Sequence, residues 1–501
     1  MRQIIVTIML TVVLSSAGFA PNFRIDHEDR TNHGCFHVML TLGPTDAGPQ
    51  PVYAAFEDDS FAGILIQRQD VCFQKSTDGG RTWLESDVLI QRGARFACYP
   101  DLTTDRAGNI YLVYTERTTG SSGHIWAVRS TDQGNTWSLP VRVDDNISGV
   151  NVGWARIAAD SAGWLFVAWN DLRGPYLRIW SSVSTDGGLT WQPNVRVDDD
   201  TVSFSCYSPD VFIQPGTRQY LVTFPGPVRQ QPQGIVLHAL IARSTDQGRS
   251  FQPCVILDTF QAYAQQPHIV ADRNWVICDY TGNSGGNRGH SQDQLSSDQG
   301  VTWSDPIEMT ELGELYNSYA NGAHLAIDPE GNIHTGLLIC DSLSWNYEIY
   351  YAYSTDHGFT WSERELVNDV LTEQQQDPDI ACDAAGNVYL AWQDRRNGRN
   401  EIWFATNNPL VAGPETPQTT KRIGQLTCTP SLFRTGTRIP VPACTTEIRI
   451  YNPAGRLVRR LAPDTRSWDG RDISGRRCPP GIYLVTLARA GSAPAKAVLL
   501  E

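Results

Sequence analysis

Residues Ser76 to Trp83 read S-T-D-G-G-R-T-W, and the octet returns five times: Ser130 to Trp137, Ser184 to Trp191, Ser244 to Phe251, Ser296 to Trp303 and Ser354 to Trp361. Its aspartates, Asp78, Asp132, Asp186, Asp246, Asp298 and Asp356, lie 54, 54, 60, 52 and 58 residues apart. A period of that size fits one small antiparallel sheet per repeat, and such sheets are stable only when stacked on neighbours. Within the octet the Asp carboxylate can accept backbone N–H groups of its own turn. The Gly two residues on supplies positive φ, and the closing Trp can pack back on the sheet. An Asp repeated once per structural unit is scaffold, so no chemistry is assigned to these six.

The pattern S-x-D-x-G-x-T-W resembles the Asp-box, or BNR repeat, of the sialidase-like β-propeller superfamily. The resemblance covers roughly residues 22 to 408 and implies a propeller. It implies an activity far less sharply, because that superfamily includes sialidases, other glycoside hydrolases and non-enzymatic binding proteins.

Aligning the repeats gives four strands in each. In the second these are Asp101 to Asp105 (A), Ile110 to Glu116 (B), His124 to Arg129 (C) and Pro140 to Asp144 (D), with the octet as the C-to-D turn. A seventh unit runs from Pro378 to Thr406 and lacks a D strand. The segment Asn22 to His27, N-F-R-I-D-H, matches the D strands Asn194 to Asp199 (N-V-R-V-D-D) and Pro140 to Asp145 (P-V-R-V-D-D). We therefore expect an all-β, seven-bladed propeller over residues 21–409 that is closed by its N-terminal strand, which removes open sheet edges. Six blades is the alternative. No long stretch shows the 3.6-residue apolar period of a helix.

The flanks are of a different character. Met1-Arg2, the apolar run Ile4 to Leu14 and Ser15-Ser16-Ala17 have the three regions of a secretory signal within residues 1–20, with cleavage after Ala17 favoured because Pro21 hinders it after Ala20. The run is too short to span a bilayer and no later segment qualifies, so no transmembrane segment is expected in the mature chain. Eleven Cys permit disulfides but leave at least one thiol unpaired; Cys35, Cys98 and Cys206, before equivalent strands, read as buried small residues. Residues 410–425 form a Pro- and Thr-rich linker. Residues 426–501 carry W-D-G-R-D from Trp468, then Ser474-Gly475-Arg476 and Gly481-Ile482-Tyr483-Leu484. This run resembles the C-terminal sorting domain of type IX-secreted bacterial proteins, similar to the FlgD-type Ig-like sandwich. It implies a secreted or cell-surface bacterial protein that engages secretion machinery. Residues 421–501 balance 14 Lys+Arg against 5 Asp+Glu, so of the net −14 the first 420 residues carry −23. An acidic propeller argues against nucleic acid as a partner, because phosphate binding needs a basic face.

The D-to-A and B-to-C loops share one face and are rich in aromatic residues and Arg, among them Tyr99, Trp154, Tyr207, Arg173 and Arg396. Aromatic planes stack on sugar rings and Arg pairs with carboxylates, which points to an extracellular carbohydrate or glycoprotein. Where strand A enters from that face, His37, Asp101, Arg156, Asp210, His268, His324 and Asp379 align and are expected to converge on the axis, as a polar ligand site or a hydrated plug. Glu57, Glu116, Asp171, Asp279, Asp341 and Asp394 recur at B-strand ends, and within-blade pairing with Arg is their expected role. No cofactor or metal is required, although surplus acids there could hold calcium.

Two readings follow: a secreted propeller that binds glycan through this face, and an exo-sialidase-like glycoside hydrolase. The sialidase resemblance implies an F-R-I-P motif, an arginine triad and a Tyr nucleophile with a Glu partner. Here Phe23-Arg24-Ile25 is followed by Asp26, and the nearest candidates for the chemistry are Tyr316 or Tyr319 with Glu314, beside Arg156.

Overall fold

The computed structural model describes residues 18–19, 22–27, 34–45, 48–59, 69–91, 96–117, 123–146, 151–230, 234–258, 263–283, 288–309, 315–316, 324–340, 347–371 and 373–408 of the N-terminal unit. Of the C-terminal unit it describes 432–433, 437–438, 448–452, 457–461, 467–473, 475–487 and 495–499. The units are Met1–Gly413 and Pro414–Glu501. The signal-like residues 1–17 and the linker lie outside the described residues, which contain no helix.

The first unit is a seven-bladed propeller in which each blade is an antiparallel sheet of four strands. Blade 1 runs outward through Cys35–Leu42, Val52–Asp58, Asp70–Ser76 and Val88–Gln91. The other innermost strands are Phe96–Thr104, Val152–Ala159, Asp210–Gln214, Tyr263–Ala271, His324–Ile327 and Gln375–Cys382. In blade 5 an added pair of residues, Leu315–Tyr316, lies beside the third strand. Second strands such as Val52–Asp58 and Leu165–Asp171 are buried throughout. Neighbouring blades cover both their faces, which is why they read as apolar runs without alternation.

Closure is as the D-strand match requires. Phe23–Arg24 is the outer strand of blade 7, with Phe23 opposite Phe404 and Arg24 opposite Trp403. The fourth strands are only two residues long in most blades because a side chain continues the ladder. Asp144 accepts the N–H of Ile125 at 2.9 Å, Asp198 that of Ile179 at 2.8 Å, and Asp258 that of Ala239 at 2.8 Å. Asp26 does the same for Ile402 at 2.7 Å in blade 7. The preceding Arg clamps the carboxylate in each R-x-D, as in Arg24–Asp26 at 2.6 Å and Arg196–Asp198 at 2.9 Å.

The octets are tight turns. In the second, Ser130 donates to Asp132 at 2.8 Å and accepts the N–H of Gly134, while Asp132 accepts the N–H and hydroxyl of Thr136 at 2.8 and 2.6 Å. The Thr136 hydroxyl and N–H, with Ser130, hold the Asp132 carboxyl down to about 2. Gly134 has φ of 79°, and a Cβ there would stand 2.5 Å from the Phe73 ring of the preceding blade. Glycine is thus required both for the turn and for blade stacking. The acids at B-strand ends also act as scaffold: Asp171 pairs with Arg173 at 2.8 Å and Asp394 with Arg396 at 2.6 Å. The two arginines lie over Trp180 and Trp403 and reach Asp145 and Asp369 of the preceding blade.

Asp279 departs from that series. It sits in mid-strand opposite His268, is fully buried, and faces Asp293 across the sheet of blade 5. The alignment by sequence missed this because the strand continues to Asn283. Burial, then the Asp279 charge, holds the Asp293 carboxyl well above the usual carboxylate range, while Trp361 donates its indole N–H to it at 2.8 Å. A raised folded pKa means that the native state keeps a proton which the unfolded chain releases near pH 4. Stability is therefore full below about pH 4 and is lost as pH rises through the folded value. Asp293→Asn is expected to raise the melting temperature relative to wild type at pH 8, with the difference shrinking toward pH 4. Parallel pH profiles of thermal unfolding would contradict this.

The C-terminal unit contains a sheet ordered Leu432–Phe433, Ala495–Leu499, Gly481–Leu487, Ile448–Tyr451 and Leu457–Leu461, and a second pairing of Thr437–Arg438 with Ser467–Trp468. Trp468 is fully buried, donates to the carbonyl of Arg471 at 2.9 Å and meets the Tyr483 ring edge-on. The run from Trp468 is thus the anchor of a folded turn.

The described cysteine side chains, including Cys35, Cys98 and Cys206, are free thiols, and those three are buried as expected. No helix among the described residues is long and apolar enough to cross a membrane.

Candidate functional site

A cup of about 320 Å³ opens where the innermost strands begin. Its wall is built by a backbone device that recurs around the ring. His37, Tyr99, Trp154, Ser208, Gln266 and Asp377 all adopt left-handed φ, between 46° and 56°, and all line the cup. In blades 1, 2, 3, 5 and 7 the strand register breaks just there, which marks a β-bulge. A bulge re-aims one side chain out of the alternating pattern, and a non-glycine residue held left-handed costs about 1–3 kcal/mol. After four of the six left-handed residues, in blades 2, 4, 5 and 7, the next residue is proline, Pro100, Pro209, Pro267 or Pro378. Proline has no N–H to donate, so it is tolerated where a bulge interrupts the ladder.

Two residues beyond each left-handed position lies the axial level. It holds Met39, Asp101, Arg156, Asp210, His268, His324 and Asp379. His37 is therefore not the blade 1 member of this ring, as the alignment supposed; Met39 is. His37 stands one bulge higher, level with Tyr99 and Trp154. Blade 1 has Val38 where four of the other blades have proline, so it lacks the mark that precedes the axial residue in those four.

The three axial aspartates staple blades together. Asp379 accepts the N–H of Leu40 at 2.6 Å, Asp101 that of Ile157 at 2.7 Å, and Asp210 that of Ile269 at 3.0 Å. Part of the ring is thus structural, and the same carboxylates bind the histidines. His324 Nδ1 is 2.9 Å from Asp379, His268 Nδ1 is 3.5 Å from Asp210, and the two imidazole centroids are 4.0 Å apart.

Electrostatics divide these groups. Burial, then the proximity of His268, lowers the pKa of His324 against the pull of Asp379. Burial would raise Asp210, but the hydrogen bond and charge of His268, with Arg156 and the Ile269 N–H, outweigh it and the net shift is downward. Asp101 is pushed up to about 7 by burial, with Asp379 and Asp210 adding to the shift and Arg156 opposing it. Arg156 itself makes no hydrogen bond or ion pair with any described residue, although it lines both the cup and an axial cavity of about 270 Å³ beneath it. Below the ring that cavity is walled by Val211, Phe212, Ile269, Leu325 and Ile380.

One side of the cup is aromatic. Tyr99 and Trp154 stack at 4.2 Å and 21°, with His37 5.2 and 5.9 Å from them. The other side carries Ser208, Gln266, Gln376 and Asp377. The sequence reading missed all four; for Ser208, Gln266 and Asp377 the available signal was their place directly before a proline. Tyr207 does not line the cup; it is 38% exposed beside it. Asp101 and Asp379 lie just outside the cup wall, Asp379 in the lower cavity. Glu314 and Tyr319 fall outside the described residues; Tyr316 pairs with Arg288 in blade 5, and its side chain is not described. Among the described residues Arg156 is the one arginine lining the cup, and no group of three or more His, Cys, Asp or Glu is arranged to hold a metal ion.

Residues 163–406 match the family model described as a BNR repeat-like domain. None of the curated proteins matches the chain. Among solved structures, a PL25 polysaccharide lyase, an ulvan lyase, aligns over 76% of this chain and 94% of its own at 11% identity, with a TM-score of 0.51. A protein of unknown function from Dyadobacter fermentans aligns over 77% and 98% at 16% identity, with a TM-score of 0.46. The NanB sialidase of Streptococcus pneumoniae aligns over 78% and 71% at 10% identity, with a TM-score of 0.43. At these identities the likeness concerns the fold.

Proposed function

We propose that this chain, a seven-bladed propeller whose residues 163–406 match a BNR repeat-like model, binds an extracellular carbohydrate carrying an anionic group, seated in the cup. The observation that carries this reading is the Arg156 guanidinium, which lines the cup together with the stacked Tyr99–Trp154 pair and makes no hydrogen bond or ion pair with any described residue. A recessed cation beside aromatic surface suits a sugar ring with a carboxylate, and the polar wall of Ser208, Gln266 and Asp377 suits its hydroxyls. The ulvan lyase with this fold is by name a polysaccharide-acting enzyme, in keeping with a glycan as ligand class. Non-catalytic binding is favoured over exo-sialidase activity because a single arginine, not a triad, lines the cup among the described residues. The signal-like N-terminus and the run from Trp468 to Leu484 support export, with the C-terminal unit as an Ig-like sorting domain.

The test is a panel of sialylated, uronic-acid-containing and neutral oligosaccharides, read by binding and by release of reducing ends. Binding of acidic members without turnover is expected, and Trp154→Ala should weaken it roughly tenfold through loss of stacking. Preference for neutral members, or turnover of a sialoside, would refute the reading.

A further inference from the structure

The residue that sets the cup wall does not itself line the cup. Glu57 lies in the second strand of blade 1, opposite Phe36, and is 1% exposed. Its Oε1 accepts the backbone N–H of Tyr99 from blade 2 at 2.6 Å and stands 3.0 Å from Nδ1 of His37. Both of its partners are left-handed bulge residues, at 53° and 47°. At a bulge the ladder cannot satisfy the N–H, and a buried N–H without an acceptor costs about 1–3 kcal/mol.

We infer that Glu57 is the positioning residue of the cup, holding Tyr99 in its strained conformation and making His37 a second cation beside Arg156. The inference rests on the reading of the cup as a ligand site, which it deepens: an anionic group seated at the floor would meet two cations, one of which can lose its charge.

The groups facing His37 from every side are Glu57 on its own blade, Tyr99 from blade 2, Trp154 and Arg156 from blade 3, and Asp377 from blade 7. Burial would lower the His37 pKa, but the Glu57 carboxylate and then Asp377 outweigh it against Arg156, and the net shift is upward. The imidazolium form therefore persists to higher pH than in a free histidine. Binding of an anion that uses it is full below the His37 pKa and declines as pH rises through it. A neighbouring carboxylate that only stapled two blades would leave no such pH signature.

The experiment combines ring ¹H–¹⁵N NMR of His37 with calorimetric titration of sodium glucuronate between pH 5 and 9, in wild type, Glu57→Gln, His37→Gln and Trp154→Ala. Glutamine keeps an oxygen for the Tyr99 N–H while removing the charge. In wild type His37 should titrate above the ordinary histidine value, and in Glu57→Gln about one pH unit or more lower. Glucuronate binding should weaken roughly tenfold across the wild-type His37 titration. Glu57→Gln should move that loss to lower pH, His37→Gln should flatten the profile, and Trp154→Ala should weaken binding equally at every pH. An unchanged His37 midpoint in Glu57→Gln would overturn the inference, as would a wild-type profile retained by His37→Gln, which also covers a Glu57→Gln chain that fails to fold. Absence of glucuronate binding at any pH, with the His37 midpoint still shifted by Glu57→Gln, would uphold the positioning role and overturn the ligand reading.

Discussion

Deleting residues 22–27 should lower the melting temperature by about 10 °C or more and produce a chain that aggregates on heating. The segment buries Ile25 completely, and full burial of such a side chain is worth about 2–3 kcal/mol. It also donates and accepts across blade 7, through Ile25 N–H to Ile402 O at 2.9 Å and Ile402 N–H to Asp26 at 2.7 Å, each worth about 1 kcal/mol. Its ends are stitched to both neighbours: Asn22 bonds Val367 O at 3.1 Å and Asp369 N–H at 2.7 Å in blade 6, and the His27 N–H bonds Asp87 at 3.1 Å on blade 1. Together these exceed about 5 kcal/mol, and at a few degrees per kcal/mol the shift is easily read by calorimetry. Loss of the strand also leaves the edge of Glu401–Thr406 unpaired, a template for association between chains. A deletion variant that melts within about 2 °C of the full chain would show that blade 7 does not depend on its borrowed strand.

The second large effect concerns the axis. Arg156→Ala is expected to weaken binding of acidic glycans on the order of 100-fold, equivalent to about 2.7 kcal/mol, because it removes one side of a recessed charge pair. Neutral glycans should be nearly indifferent to it. The fold should survive the change, since Arg156 makes no hydrogen bond or ion pair with described residues, whereas Asp101, Asp210 and Asp379 carry the inter-blade staples. The same substitution at an axial aspartate would confound binding with stability. Stability of Arg156→Ala close to wild type, together with a selective loss of acidic ligands, distinguishes a receptor cation from a plug.

What could be read in the sequence divides along physical lines. The octets, the blade number and the borrowed strand were legible because each depends on local chemistry repeated down the chain: turn glycines, a capping Asp, an R-x-D that ends a blade. The axial ring was legible wherever proline marks the bulge before Asp101, Asp210, His268 and Asp379. It failed in blade 1, where Phe36-His37-Val38-Met39 lacks that mark, puts an apolar Met39 at the axial position and offers a histidine two residues earlier. Asp279 was misplaced for a related reason, since nothing in the sequence announces that its strand runs four residues further. The role of Glu57 was invisible because its partners lie on two blades. As one acid among those ending B strands it resembles Asp171 and Asp394, yet they face arginines within their own blades while Glu57 faces His37 and the backbone of Tyr99. Local periodicity locates scaffold; convergence of unlike residues from different repeats is a property of the closed ring alone.

The account stands most directly on a double-mutant cycle measured by calorimetry, with wild type and Arg156→Ala each titrated with a glucuronate-containing oligosaccharide and with its carboxyl-reduced counterpart. Carboxyl reduction should cost wild type on the order of 100-fold in affinity and cost Arg156→Ala almost nothing, so that the loss belongs to the pair. Equal losses in both proteins would mean that Arg156 does not receive the anion, and the cup would have to be read as a water-filled axis of the propeller.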